Sequence, residues 1–252
     1  MARIVSVHSF RGGTGKSNLT ANVAGLLAAG GARVAVVDTD IQSPGIHVLF
    51  GLEGTDGAGL NEFLWGTRAI TDVAIDVTAR VAAHTPVAGS LHLVRASVQA
   101  NEIARVLHEG YDVAVLQDGL RDLAATLDLD VLMIDTHPGL NEETLLSIMV
   151  SDALVVLMRP DRQDFEGTAV TVGVARRLHI PDLLLVVNKV PSGVDRADLA
   201  TQITANYDAD PVGLLPFTED VARNASGDLF ALIEPEHPWS VEVRAVAARL
   251  AP

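Results

Sequence analysis

The run Phe10-Arg11-Gly12-Gly13-Thr14-Gly15-Lys16-Ser17 decides how this chain is read. It follows an apolar run, Arg3 to Val7, and opens a helix-patterned segment, Ser17 to Ala29. A strand, a glycine-rich turn and a helix N-terminus in that order make an anion site, because backbone N–H groups converge there and the helix dipole favours negative charge. Gly12, Gly13 and Gly15 let the main chain approach a ligand without Cβ clashes. In such a loop the lysine, here Lys16, neutralises β- and γ-phosphate charge, and the next hydroxyl, on Ser17, faces Mg²⁺. The general pattern G-x-x-x-x-G-K-[ST] asks for glycine at position 10, where this chain has Phe10.

Working outward, short runs rich in Val, Leu and Ile recur at Val34–Asp38, Leu91–Val94, Val131–Asp135, Ala153–Met158, Leu183–Asn188 and Val212–Leu215. Helix-patterned segments separate them, at roughly 101–107, 118–127, 142–147, 167–178, 197–207 and 241–250. This alternation predicts an α/β fold, a doubly wound, mostly parallel sheet with helices on both faces and right-handed crossovers. The stretch Gly51 to Gly59 reads as a surface loop, and the apolar cluster Leu60, Phe63, Leu64 and Trp65 has no assigned place. With 252 residues and no linker, repeat or low-complexity tract, the chain reads as one domain over 1–252.

Ligands of open parallel sheets sit outside the carboxyl ends of the strands, and acidic residues stand at two of these ends. Asp38-Thr39-Asp40 puts two carboxylates one residue apart, which beside a triphosphate suits one to a magnesium shell and the other to ordering an attacking water. Four apolar residues leading to Asp135 form the strand whose carboxylate holds Mg²⁺ directly or through water. Asn188-Lys189 resembles the Asn-Lys-x-Asp box that reads guanine, but Pro191 occupies the place of the carboxylate. An Asn amide can instead serve adenine, so ATP is expected over GTP. Pro216 and Phe217 are candidate walls on the base side.

Composition narrows the classes. There is no cysteine, so no disulfide, cysteine-ligated zinc or iron–sulfur cluster is expected. A net charge of −14 argues against a broad electrostatic hold on DNA or anionic lipid. No apolar stretch reaches the length that spans a bilayer and no leader is evident, so a soluble cytoplasmic protein is expected. Lys16 and Lys189 are the only lysines, and the eight histidines lack metal-ligand spacing.

The basic residue followed by Gly-Gly-x-Gly-Lys-Ser resembles the deviant Walker A box of the MinD/ParA family of P-loop ATPases, whose usual form begins with lysine. Val36 to Gly45 is similar to the family's switch I and Asp135-Thr-His-Pro-Gly139 to its second switch, so the resemblance covers essentially the whole chain. It implies Mg·ATP held by Gly12, Gly13, Thr14, Gly15, Lys16, Ser17 and Asn18, with Ser17, Asp38 and Asp135 serving the metal and Asp40 orienting water. It also implies that Gly139 offers its N–H to the γ-phosphate, that Asn188 contacts the base, and that Arg11, in place of lysine, acts in trans across a nucleotide-sandwich homodimer. Arginine preserves the cation there, although the two side chains are not interchangeable at a tight site. His137 departs from the family's usual proline and reads as a tolerated switch-loop residue rather than a catalytic base.

Slow hydrolysis and nucleotide-dependent binding of a stimulating or adaptor partner, used to position a cargo, follow from the same resemblance. The cysteine-dependent relatives, the nitrogenase iron protein and metal-cluster chaperones, are excluded by composition. An ATP-dependent ligase of the dethiobiotin or cobyrinate synthase type is the alternative, as is a nucleotide-binding scaffold without turnover. Nucleic acid has only Arg176-Arg177 to recommend it. Peripheral membrane contact has only the segment Trp239 to Leu250, which reads better as a helix closing the domain.

Overall fold

The computed structural model describes residues 1–54 and 57–252, so two positions of the 51–59 loop, 55 and 56, lie outside the described residues. The strands are β1 (Arg3–His8), β2 (Arg33–Asp38), β3 (Ala74–Asp76), β4 (Ser90–Val94), β5 (Val131–Asp135), β6 (Ala153–Met158), β7 (Asp182–Val190) and β8 (Pro211–Pro216). They form one sheet in the order β3-β4-β2-β5-β1-β6-β7-β8. Every pairing is parallel except β3 with β4, which is antiparallel and went unread in the sequence because it is only three residues long.

Helices α1 (Lys16–Ala29), α2 (Ile46–Leu49), α3 (Leu60–Leu64), α4 (Thr78–Ala82), α5 (Ala100–Glu109) and α6 (Val113–Thr126) belong to the first half. Helices α7 (Glu142–Met149), α8 (Arg162–Arg177), α9 (Arg196–Tyr207), α10 (Glu219–Asn224), α11 (Phe230–Ile233) and α12 (Pro238–Leu250) follow. Several begin earlier than their apolar spacing indicates, since a cap rather than a hydrophobic residue sets the start. Asp112 accepts from Ala114 N at the head of α6, and Asp161 accepts from Gln163 N and Asp164 N at the head of α8.

Alternate strand residues face opposite layers. Val5, Val7, Val34, Val36, Val131, Met133 and Val155 pack with α1, α11 and α12 on one face. On the other, Val37, Leu132 and Ile134 pack with α3 and α6, while Leu154, Val156 and Leu185 pack with α8 and α9. The unplaced cluster at Leu60 to Trp65 is α3 and its C-cap; Phe63 lies so close to Gly119 of α6 that a Cβ there would sit 2.2 Å from its ring.

In α12, Trp239, Val243, Val246 and Leu250 are buried, so its apolar stripe faces the core and not a lipid surface. Arg176 donates to the carbonyls of Tyr207 and Asp208, tying α8 to the end of α9. Among the described residues no helix is long and apolar enough to cross a membrane.

Candidate functional site

Strand order brings the acidic ends together. β5 lies between β1 and β2, so the chain leaving β1 passes over β5 before it enters the sheet again. The β2–β5 register sets Asp38 directly opposite Asp135, and the β1–β5 register sets Val7 beside Asp135. Thr39 N donates to the Asp135 carbonyl at 2.9 Å, which closes the pair.

The glycine-rich run leaves β1 and turns into α1 through Gly15, whose φ of +97° is open to glycine and strained for other residues. A Cβ at Gly15 would also stand 2.5 Å from Asn188 Nδ2. Helices α6 to α10 each carry a side-chain N-cap, whereas α1 has none and no acidic residue in its first turn. Its first N–H groups are therefore left for an anion from outside the helix.

Lys16 is buried at the foot of this helix. Its Nζ stands 3.2 Å from Asp135 Oδ1 and 4.0 Å from Asp40 Oδ2. Thr20, one helical turn on, also donates to Asp135 Oδ1 at 3.3 Å. Both donors reach the same oxygen, and Asp135 Oδ2 is buried without a partner, as is Asp38 Oδ2. The other oxygen of Asp38 accepts from Asp40 N at 3.0 Å. Burial foremost, and then the Asp135 charge, push the Asp38 carboxyl well above the ordinary carboxylate range, against the pull of Lys16 and the Asp40 N–H.

Two orphaned carboxylate oxygens on neighbouring strand ends are a deficit of positive charge, and a hydrated Mg²⁺ fits it. Among the described residues no group of three or more His, Cys, Asp or Glu side chains could hold a metal alone.

Above Lys16 a cleft of about 670 Å³ runs from the glycine-rich loop to the ends of β7 and β8. Gly12 to Asn18, Asp40, Asn188, Pro216 and Phe217 all line it. The residues expected on the phosphate side and on the base side thus share one cavity. Phe217 is 60% exposed, so the base-side wall is open to solvent.

Three expected residues are engaged elsewhere. Gly139 N donates to the Ser9 carbonyl at 3.1 Å, so its N–H faces the main chain and not the cleft. Asn188 uses both ends of its amide: Nδ2 donates to the Thr14 carbonyl at 2.8 Å, and Oδ1 accepts from Lys189 N at 2.9 Å. Arg11 turns toward α8, with its guanidinium 3.6 Å from Asp164 Oδ1 and 3.8 Å from Asp161 Oδ1. Phe10 leans the same way and occupies the space a Cβ at Gly167 would need.

Other contacts were not legible beforehand. Lys189, at a φ of +59°, donates to the Gly13 carbonyl at 2.7 Å and so, with Asn188 on Thr14, engages two of the loop's carbonyls. Its rarity as one of two lysines was the available signal. His137 Nδ1 lies 2.6 Å from Asp40 Oδ1, a contact that no local pattern announces. In β1, the His8 ring is held neutral: burial, then the charges of Lys16 and His137, lower its pKa to about 3. Thr136 donates to the Val7 carbonyl, so its hydroxyl accepts from His8 Nδ1 at 2.9 Å.

With this geometry in hand, comparison with known proteins is specific. The CobQ/CobB/MinD/ParA nucleotide binding domain matches residues 5–230. An uncharacterized ATP-binding protein of Methanocaldococcus jannaschii is 27% identical over 252 residues, covering 99% of this chain and 88% of that protein. The septum site-determining protein MinD of Pyrococcus horikoshii, complexed with Mg-ADP, superposes with a TM-score of 0.81 at 19% identity, over 99% of this chain and 96% of that one. A plasmid partition protein of Borrelia burgdorferi bound to AMPPNP gives 0.76 at 18% identity, over 99% and 98%. At these identities the structural likeness establishes the fold.

Proposed function

This chain belongs to the CobQ/CobB/MinD/ParA nucleotide-binding domain family, and from that premise we propose that it is a Mg·ATP-dependent switch that hydrolyses ATP slowly and dimerises while ATP is bound. The observation that carries the reading is the placement of Lys16 between Asp135 and Asp40 at the foot of the cleft, under an uncapped helix N-terminus. In this reading the whole chain, 1–252, is a single cytoplasmic ATPase domain, and a stimulating or adaptor protein links it to a cargo that it positions or partitions.

The N–H groups of Gly12 to Asn18 and the Lys16 ammonium bind the phosphates, while Pro216 and Phe217 flank the base. Asn188 reaches adenine only by releasing the Thr14 carbonyl it now holds. Gly139 likewise gives up Ser9 to contact a γ-phosphate. Ser17, Asp38 and Asp135 would hold Mg²⁺, which when bound neutralises charge on the phosphate oxygens. Asp40 orients the water that attacks the γ-phosphorus, with ADP leaving and phosphate released. Arg11 must let go of Asp161 and Asp164 to reach a partner copy's phosphates.

Phosphate release and light scattering, measured on the purified chain with Mg·ATP, test this. Asp40→Ala is expected to lower turnover about 100-fold or more while ATP binding and the ATP-bound dimer persist. Absence of binding heat with Mg·ATP, or turnover that appears only when an organic acid is added, would overturn it.

A further inference from the structure

The proposed reaction gives His137 of the second switch no task, yet this side chain makes a close contact with a residue that has one. Its Nδ1 lies 2.6 Å from Asp40 Oδ1. A carboxylate only accepts, so the ring donates from Nδ1. Ser43 N donates to the same Oδ1 at 3.1 Å. With Oδ1 fixed from two sides, Oδ2 is the oxygen turned toward Lys16 Nζ, 4.0 Å away.

The backbone that carries the ring is itself anchored. Thr144 Oγ1, in the first turn of α7, donates to the His137 carbonyl at 3.2 Å, and Asn141 caps that helix by accepting from Thr144 N at 2.7 Å. On the other side, Asp40 N donates to Asp38 Oδ1. One hydrogen-bonded path therefore joins the loop after β2, the loop after β5 and the head of α7.

We propose that His137 is a positioning residue that locks the Asp40 side chain so that Oδ2 faces the attacking water, and that it ties the two switch loops to each other. This rests on the role given above to Asp40. The family's usual proline at this place has no donor, so the lock belongs to this chain and its geometry rather than to the shared motif.

The test uses the full chain with Mg·ATP and three substitutions. His137→Asn puts an amide N–H where Nδ1 stands, His137→Gln carries its amide out to the Nε2 position, and His137→Phe keeps the ring shape without a donor. The Gln and Phe variants are expected to lose about tenfold or more in kcat, with KM and the affinity for a fluorescent ATP analogue held within about twofold. His137→Asn is expected to recover kcat to within about threefold of the native chain.

Equal losses in the Asn and Phe variants, a kcat unchanged in all three, or losses confined to KM would each overturn the assignment. A readout independent of turnover is proton NMR of the nucleotide-free chain with ¹⁵N-labelled histidine. A downfield proton on Nδ1 of His137 is expected, and it should vanish in Asp40→Ala; its absence from the native chain would remove the lock. Should the native chain release no phosphate, the ATPase reading fails and takes the assigned role with it. Should it turn over normally in every variant, this inference alone fails.

Discussion

The strand pair β2–β5 carries an acidic residue at each end, and the two ends are built on opposite principles. At the entry end, Arg33 donates from Nε and Nη2 to Asp130 at 3.0 and 2.7 Å, and its backbone N–H adds a third bond at 2.9 Å. Arg33 also pairs with Asp128, so every charge there has a partner at the solvent edge. At the exit end, five residues away on each strand, Asp38 faces Asp135 in the buried interior with an orphaned oxygen on each. Folding alone gains nothing from two buried carboxylates side by side. The entry end is arranged for stability, and the exit end keeps an unmet demand for positive charge that a ligand can satisfy.

Lys16 tests the exit end most severely, because it is the buried cation that pairs with Asp135 and stands beside Asp40 there. Lys16→Ala is expected to cost about 3 kcal/mol or more of stability in urea unfolding, since it leaves buried charge uncompensated. It should also abolish the stabilisation by Mg·ATP, which for the native chain is expected to be about 2.7 kcal/mol at a hundred times the dissociation constant. A loss below about 1 kcal/mol would mean that the exit end is solvated like a surface pair and that the contrast is false.

Asp38→Asn probes the same end in the opposite sense, with a smaller effect. Without nucleotide it is expected to stabilise the fold by about 1–2 kcal/mol at neutral pH, while weakening the response to Mg·ATP. The sign follows from the raised pKa of Asp38: the folded chain keeps this proton at pH values where the unfolded chain has lost it. The contribution of Asp38 to stability therefore falls as pH rises above about 3.9, and the advantage of the amide variant should grow with pH. An advantage that shrinks as pH rises would place the strain elsewhere.

The entry end should respond least and titrate the other way. Arg33, through its hydrogen bonds, lowers the Asp130 pKa to about 2, so this end's contribution is present above about 3.9 and is lost as pH falls through about 2. Because the pair is partly exposed, Asp130→Ala is expected to lower Tm by no more than about 4 °C at neutral pH, and by less in acid. Calorimetric scans across pH would sharpen the comparison, and a larger drop than at Lys16 would reverse it.

What the sequence determined by itself was local. The apolar alternation specified most of the parallel strands, since burial on both faces demands continuous Val, Leu and Ile. The glycines and Lys16 specified the loop before α1, because few residue types tolerate that backbone or supply that charge. The carboxylates Asp38, Asp40 and Asp135 were legible as strand-end residues, but nothing local set Asp38 against Asp135, far apart along the chain. That contact is fixed by strand order and register, which are decided by how whole faces pack.

Tertiary structure alone likewise turned Arg11 toward Asp161 and Asp164, gave Asn188 to the Thr14 carbonyl, and brought His137 to Asp40. The physical reason is the same in each case. A side chain's chemistry is written in its residue type, but its partner is whichever group the packed layers deliver within about 3 Å, and that distance is a property of the whole fold.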